Sequence, residues 1–273
     1  MIRFGLGCAV VAMAVAGFSG RASAHDFWLS AQDYTLDTPQ IAEFSAMVGH
    51  PEDRSYWPMV SHRVVALRSF GPQGITDLQA GVPANSMTKT VATPPLSLGT
   101  HMITVETTHA VSVLEADKFN AYMDEEGLTP IKVARIANRT QDEAGHEIYS
   151  RRGKAILQVG PYTGKQDGIV TKPVGMTLEI VPTVNPYGIE AGKELPVHIY
   201  YRGALMSGVT VLMIDLDSDV GIVEKHISDK DGAATFIRPE TGRWMIHAVW
   251  SAELPDTAEA DFDTTFSSLS FGF

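Results

Sequence analysis

The feature of this 273-residue chain that most limits its fold is a series of short strand-like segments in its second half. The segments are rich in β-branched and aromatic residues, and turns such as Asp231-Gly232 separate them. They cover residues 176–181, 195–201, 209–216, 222–227, 233–237 and 244–250. Short strands at this spacing are typical of a β-sandwich. We therefore expect residues 171–273 to form a C-terminal β-sandwich domain.

Residues 25–170 are predicted to form a second, N-terminal β-rich domain. Short alternating segments and glycine- or proline-containing turns fill its first part, and residues 101–109 are rich in β-branched side chains. Between residues 115 and 140 the apolar period changes to that of a helix. The predicted fold class is mainly β, with two immunoglobulin-like or transthyretin-like β-sandwich regions and a short helical insert in the first.

The helical insert is predicted from the spacing of its apolar residues. Phe119, Tyr122 and Met123 are placed at i, i+3 and i+4, and Gly127 follows as a stop signal. A second helical segment comes directly after it. The pair Glu125-Glu126 lies at the end of the first helix, and we interpret both carboxylates as solvated.

Residues 1–24 are typical of a cleaved signal peptide. Arg3 supplies a positive charge, residues 4–18 are apolar or small, and Ala22-Ser23-Ala24 matches a signal-peptidase site. The apolar run is too short for a membrane span, which needs about 20 residues. No later stretch is longer, so we expect no integral membrane segment in the mature chain. Cleavage would remove Cys8, the chain's only cysteine, and leave His25 as the first residue.

The charge balance restricts the classes of partner. The formal net charge is −11, and a chain this acidic lacks the basic surface that binds a phosphate backbone. Nucleic acid is therefore excluded as a partner, whereas cations are attracted. The chain also lacks a G-x-S-x-G nucleophile motif and a dinucleotide-binding glycine motif. We therefore expect a protein that is not an enzyme, with no catalytic residues.

His25 is the strongest candidate metal ligand. An N-terminal histidine offers two nitrogen donors, the α-amine and the imidazole, and an amine with a pKa near ~8 can lose its proton to a metal at neutral pH. One further imidazole would complete a set of nitrogen donors that suits Cu²⁺ or Ni²⁺. The adjacent Asp26 is expected to add an oxygen donor or to orient the ring.

The other expected metal ligands are His50 and His109. His50 lies in a predicted loop beside acidic residues, and His109 lies at the end of a predicted strand. His101 shares a strand face with His109, but the two are about 27 Å apart at ~3.4 Å per residue, so they cannot share one ion. We interpret His247 as a strand residue with satisfied ring nitrogens.

Several motifs resemble a family of exported bacterial proteins catalogued as periplasmic components of cobalt or nickel uptake systems. The matching motifs are HDFWL at residues 25–29, KFNAYMDEEGL at 118–128, YSRRGKA at 149–155, LEIVP at 178–182, DKDGAATF at 229–236 and GRWMI at 242–246. The resemblance spans nearly the whole mature chain. It implies a periplasmic location and a membrane metal permease or another envelope protein as partner. The C-terminal region also resembles the transthyretin-like or carboxypeptidase-regulatory-like sandwich.

The leading hypothesis is a periplasmic binding or delivery protein for nickel or cobalt. An exported, acidic chain with a terminal histidine and the family resemblance motivate it. Two alternatives remain at the level of the sequence. One is a copper-binding protein with a terminal histidine, acting in homeostasis or as an oxidative enzyme. The other is an envelope interaction module that binds no metal.

Overall fold

We describe a computed structural model of the chain over residues 26–50, 53–165, 167–255 and 258–273. The predicted signal peptide and His25 lie outside the described residues. Eighteen strands and two α-helices are present in these ranges. The strands are β1 Phe27–Ala31, β2 Thr35–Leu36, β3 Glu43–Val48, β4 Ser55–Tyr56, β5 Val64–Gly71, β6 Gly74–Asp77, β7 Thr90–Ala92, β8 Gly99–Thr107, β9 Ala110–Leu114, β10 Gly145–Val159, β11 Leu178–Pro182, β12 Glu194–Tyr201, β13 Ala204–Leu205, β14 Thr210–Asp215, β15 Ile222–Ile227, β16 Ala233–Ile237, β17 Arg243–Glu253 and β18 Phe262–Gly272. The helices are α1 Ala116–Glu125 and α2 Thr129–Asn138.

One long sheet joins the two halves of the chain. Its strand order is β15-β14-β17-β18-β10-β8-β5-β6, and β2 and β9 also pair with β10. The C-terminal strand β18 lies between β17 and β10 and runs parallel to β10, with Glu147 opposite Phe262 and Ala155 opposite Ser270. This sheet therefore contains strands from both sides of residue 170. The domain boundary at that residue remains a prediction.

Two smaller sheets pack on opposite faces of the long sheet. Successive residues of a strand point to opposite faces. Accordingly, Ala155 and Leu157 of β10 belong to a core shared with the sheet β1-β3-β4, which β7 also joins. Ile156 belongs to a core shared with the sheet β11-β12-β13, which β16 also joins. The prediction of a mainly β fold with β-sandwich packing is confirmed.

The two helices confirm the predicted insert, and they cover the same face of the long sheet as β1 and β3. Phe119, Tyr122 and Met123 are buried and pack against β17 and β18 side chains. Gly127 has φ +68°, a left-handed conformation that glycine adopts readily and that ends the first helix. Gly145 begins β10 beneath Phe119, where a β-carbon would lie 2.3 Å from the ring. Only a glycine lets α1 approach the sheet this closely.

A buried ion pair fastens β10 to the sheet on the other face. The Lys154 ammonium donates to a Glu179 carboxylate oxygen at 2.5 Å and to the Ile180 carbonyl at 3.1 Å. The same carboxylate accepts three backbone N–H groups from residues 174–176. Both charges are fully buried, and each is satisfied by the other and by backbone groups. Within the described ranges, neither helix is long and apolar enough to cross a membrane.

Candidate metal centre

Three buried side chains from distant parts of the sequence meet on the helix-covered face of the long sheet. The His247 Nε2 atom lies 3.3 Å from Asp26 Oδ1 and 3.4 Å from Glu126 Oε2. Donor atoms of the three residues all lie within 4.8 Å of one another. His247 is 1% exposed, Asp26 is 6% exposed and Glu126 is 5% exposed. We call this group the Asp26–Glu126–His247 cluster.

Each member is placed by ordinary local structure. Asp26 directly precedes β1, and its carbonyl accepts the N–H of Gly49, which fixes it beside the end of β3. Glu126 follows α1 and is placed at i+7 from Phe119, on the buried face of that helix. His247 shares its side of β17 with Val249, which packs under the helices. Helix periodicity and strand alternation therefore direct both Glu126 and His247 into one interface.

The electrostatics of the cluster are those of a buried cation held by two carboxylates. Burial by itself lowers the pKa of His247, but the facing Asp26 and Glu126 outweigh it and raise that pKa to about 9. Burial raises the pKa of Asp26 to about 6, against the opposing attraction of His247. Glu126 also lies at the negative end of the α1 dipole, where a carboxylate is disfavoured. The cluster needs a positive charge at its centre.

The ring of His247 lacks the hydrogen bonds that a buried histidine normally makes. Among the described residues, neither Nδ1 nor Nε2 has a hydrogen-bond partner of acceptable geometry. Buried polar atoms without such partners are rare and call for an explanation. The prediction that His247 is a strand residue is confirmed, because it lies in β17, but the prediction that its ring nitrogens are satisfied was wrong. So was the interpretation of Glu126 as solvated, because its carboxylate is buried against the histidine.

The donor spacing fits a metal ion. Zinc-type ions bind imidazole nitrogen and carboxylate oxygen at about 2.0–2.2 Å, so two donors on one tetrahedral ion lie about 3.4 Å apart. The observed separations from Nε2 are 3.3 and 3.4 Å. One imidazole and two carboxylates are a donor set that suits divalent first-row transition ions. The cluster can hold such an ion through Asp26, Glu126 and His247.

A cavity of about 200 Å³ adjoins the cluster. Asp26 and Glu126 line it, whereas His247 is not among its described lining residues. The other described lining residues are His50, Glu125, Leu212, Ile214, Gly221 and Ile222. An ion in the cluster would therefore form part of the cavity wall.

The residues predicted from the sequence are distributed as follows. Asp26 belongs to the cluster, and the His50 Nδ1 atom lies 4.0 Å from its Oδ2 atom. His25 lies outside the described residues, although it directly precedes Asp26 in the chain. His109 lies elsewhere, in the connection between β8 and β9, where its Nε2 atom is 3.3 Å from Asp263. The structure thus brings His50 and Asp26 together and does not bring His109 to them.

Comparisons with known proteins identify a family but no activity. The model of a family described as a domain of unknown function, DUF4198, matches residues 22–252. No curated protein matches the chain.

The similarities to two solved structures are weak. The D0-D1 domain of intimin has 10% identity and a TM-score of 0.20, with coverage of 89% of this chain and 96% of that one. A two-domain fibronectin type III segment of chicken tenascin has 9% identity and a TM-score of 0.19, with coverage of 89% and 97%. No functional inference is drawn from scores this low. The family match covers most of the sequence, and the chain therefore belongs to the DUF4198 family.

Proposed function

We propose that this protein binds one divalent transition-metal ion at the Asp26–Glu126–His247 cluster. The observation that carries the proposal is the buried Nε2 atom of His247, placed between two buried carboxylates at metal-ligand spacing. The proposed role is binding or delivery of nickel or cobalt for uptake, in the periplasm of a bacterium. Acidic composition, the signal-like residues 1–24 and the resemblance to uptake components support that role.

The charges balance when an ion replaces protons. A divalent cation together with neutral imidazole and two carboxylates has no net charge, which suits a buried site. In the metal-free protein, the proton on His247 supplies the positive charge instead. Metal binding therefore releases protons, because the imidazole must be neutral to act as a ligand.

His50, which lines the adjoining cavity, and His25, which precedes Asp26 in the chain, carry nitrogen donors that would compete for the remaining coordination positions of the ion. After cleavage behind Ala24, the α-amine and imidazole of His25 would both belong to the residue that directly precedes Asp26 in the chain. The imidazole of His50 lines the adjoining cavity. Nitrogen donors favour Ni²⁺, Co²⁺ and Cu²⁺ over Mg²⁺ and Ca²⁺, which prefer oxygen. Nickel or cobalt is the proposed ion, and copper is the alternative.

Calorimetric titration of the processed protein, beginning at His25, with Ni²⁺, Co²⁺, Cu²⁺ and Zn²⁺ tests the proposal. We expect one ion per chain. Loss of a partner that merely orients a ligand lowers metal affinity about 10–100-fold, so His247→Gln and Glu126→Gln should each lower it by at least about 100-fold. His109→Gln is the matched control, since that imidazole pairs with Asp263 away from the cluster.

Two further results decide between the proposal and its alternatives. Circular dichroism of each variant establishes that lost binding is not lost folding. One extra residue before His25 should weaken binding if the terminal amine is a ligand. Binding that is absent below millimolar metal, or that is unchanged by both cluster variants, would overturn the proposal. The cluster would then be a structural ion pair, and the interaction module without metal would be the better hypothesis.

A further inference from the structure

We infer that the bound ion keeps one coordination position open to the adjoining cavity and that a neutral nitrogen donor, an imidazole, binds there. The inference rests on the proposed metal site and specifies what that site takes besides the ion. The imidazole would come either from a free small molecule or from a histidine side chain of a protein that exchanges the ion. In both cases the ligand atom is an imidazole nitrogen.

The position of the cavity implies an open coordination site. Two of the three donor residues, Asp26 and Glu126, line the cavity, so an ion held by the cluster would adjoin it. Closed metal sites use four protein ligands, whereas sites that exchange ligands use three and leave one position open. The remaining position of the ion faces the cavity.

The cavity has room for a ligand larger than water. Its volume of about 200 Å³ corresponds to roughly seven water molecules at about 30 Å³ each. A five-membered ring is smaller than this space. Part of the lining is apolar, since it includes Leu212, Ile214 and Ile222. A flat ring would lie against these side chains while its nitrogen reached the ion.

The charge of the cavity selects a neutral donor. Asp26, Glu125 and Glu126 all line it, with His50 as the one described basic residue. Two of these carboxylates already neutralise a divalent ion, so an anionic ligand would add uncompensated negative charge. Small anions such as azide are therefore expected to bind more weakly than imidazole.

One wall of the cavity lies at the edge of the long sheet. Ile222 begins the edge strand β15, lines the cavity and is 50% exposed. Its neighbour Val223 is exposed to the same extent but does not line the cavity. These two positions provide a test variant and a matched control, because neither side chain belongs to the buried core.

The test uses the processed protein saturated with Co²⁺, whose visible absorption reports its ligands. Imidazole should change the spectrum saturably, with a dissociation constant at least tenfold lower than that of azide, while dialysis finds cobalt still bound. Ile222→Phe, which enlarges a side chain of the cavity wall, should weaken imidazole binding at least tenfold. Val223→Phe should leave it at the wild-type value.

Binding of short peptides distinguishes a free small-molecule imidazole from a histidine side chain of a protein. If a free small molecule is the ligand, imidazole binds and a glycine-flanked histidine peptide does not. If a protein side chain is the ligand, the peptide also binds, and the same peptide with alanine in place of histidine does not. Either pattern supports the open position.

Four results would overturn the inference. They are a spectrum that neither imidazole nor the histidine peptide changes, equal affinity for azide and imidazole, release of cobalt into solution, and imidazole binding only after His50→Ala. The last would mean that His50 already fills the position. In all four cases the protein binds cobalt before imidazole is added, so the proposed metal site would stand. Failure to bind cobalt at all would instead remove the proposed function, and this inference with it.

Discussion

The pH dependence of the metal-free protein tests the charge state of the Asp26–Glu126–His247 cluster. The facing carboxylates raise the pKa of His247 to about 9 from its ordinary 6.5. At about 1.36 kcal/mol per unit, that difference corresponds to about 3 kcal/mol of folding free energy. Below pH 6.5 the imidazole is protonated in folded and unfolded chains alike, and the stabilisation is complete. As the pH rises from 6.5 through about 9 the stabilisation is lost.

Urea unfolding in the presence of a chelator, at intervals between pH 6.5 and 9.5, measures this loss. The reference is the double variant His247→Gln/Glu126→Gln, which removes the imidazole without leaving two carboxylates face to face. Asp26 loses the pKa-lowering attraction of His247 in this variant, so the same titration of the triple variant that also carries Asp26→Asn separates any contribution of Asp26. The unfolding free energy of the wild type should fall by about 3 kcal/mol relative to the double variant. Parallel curves, or a difference that grows with pH in favour of the wild type, would refute the assigned charge state.

Three other changes test the structure around the cluster. Lys154→Met leaves the fully buried Glu179 carboxylate without its cation and should lower the unfolding free energy by about 3–5 kcal/mol in urea titrations; an unchanged midpoint would contradict the buried pair. Burial raises the pKa of Glu147 to about 7 from 4.5, so the wild type loses stability as the pH rises through this range. The unfolding free energy of Glu147→Gln, relative to that of the wild type, should therefore rise by about 3 kcal/mol between pH 4 and pH 8. An equal difference at the two pH values would argue against a buried protonated carboxyl. Gly145→Ala brings a β-carbon to 2.3 Å from Phe119, and calorimetric melting should find a loss of about 1–3 kcal/mol, whereas a neutral effect would mean that α1 does not press on the sheet.

Local patterns in the sequence were enough to predict the mainly β fold and the helical insert. Strand alternation and helix spacing depend on neighbouring residues, so a single sequence displays them directly. The same patterns contain a signal for Glu126 that the sequence analysis missed. Its i+7 spacing from Phe119 places it on the apolar face of α1, where a carboxylate requires a partner.

The pairing of distant strands could not be predicted in this way. Strand β18 completes the long sheet by lying between β17 and β10, and this arrangement decides which residues of the two halves become neighbours. Local propensity does not specify such contacts, because they depend on register and on the packing of whole sheets. The domain division at residue 170 therefore remains a prediction, although the strands on either side of it were expected.

By itself, the sequence determined the strands, the helices and the importance of the segment that begins with Asp26. Only the tertiary structure decided that Glu126 and His247 are its partners. These residues are far apart in the chain, and each belongs to an element whose local pattern is complete without the others. They meet because β1 and α1 pack on the face of the long sheet from which His247 of β17 projects. Burial then makes three ordinary polar side chains into a cluster that must hold a positive charge, either a proton or a metal ion.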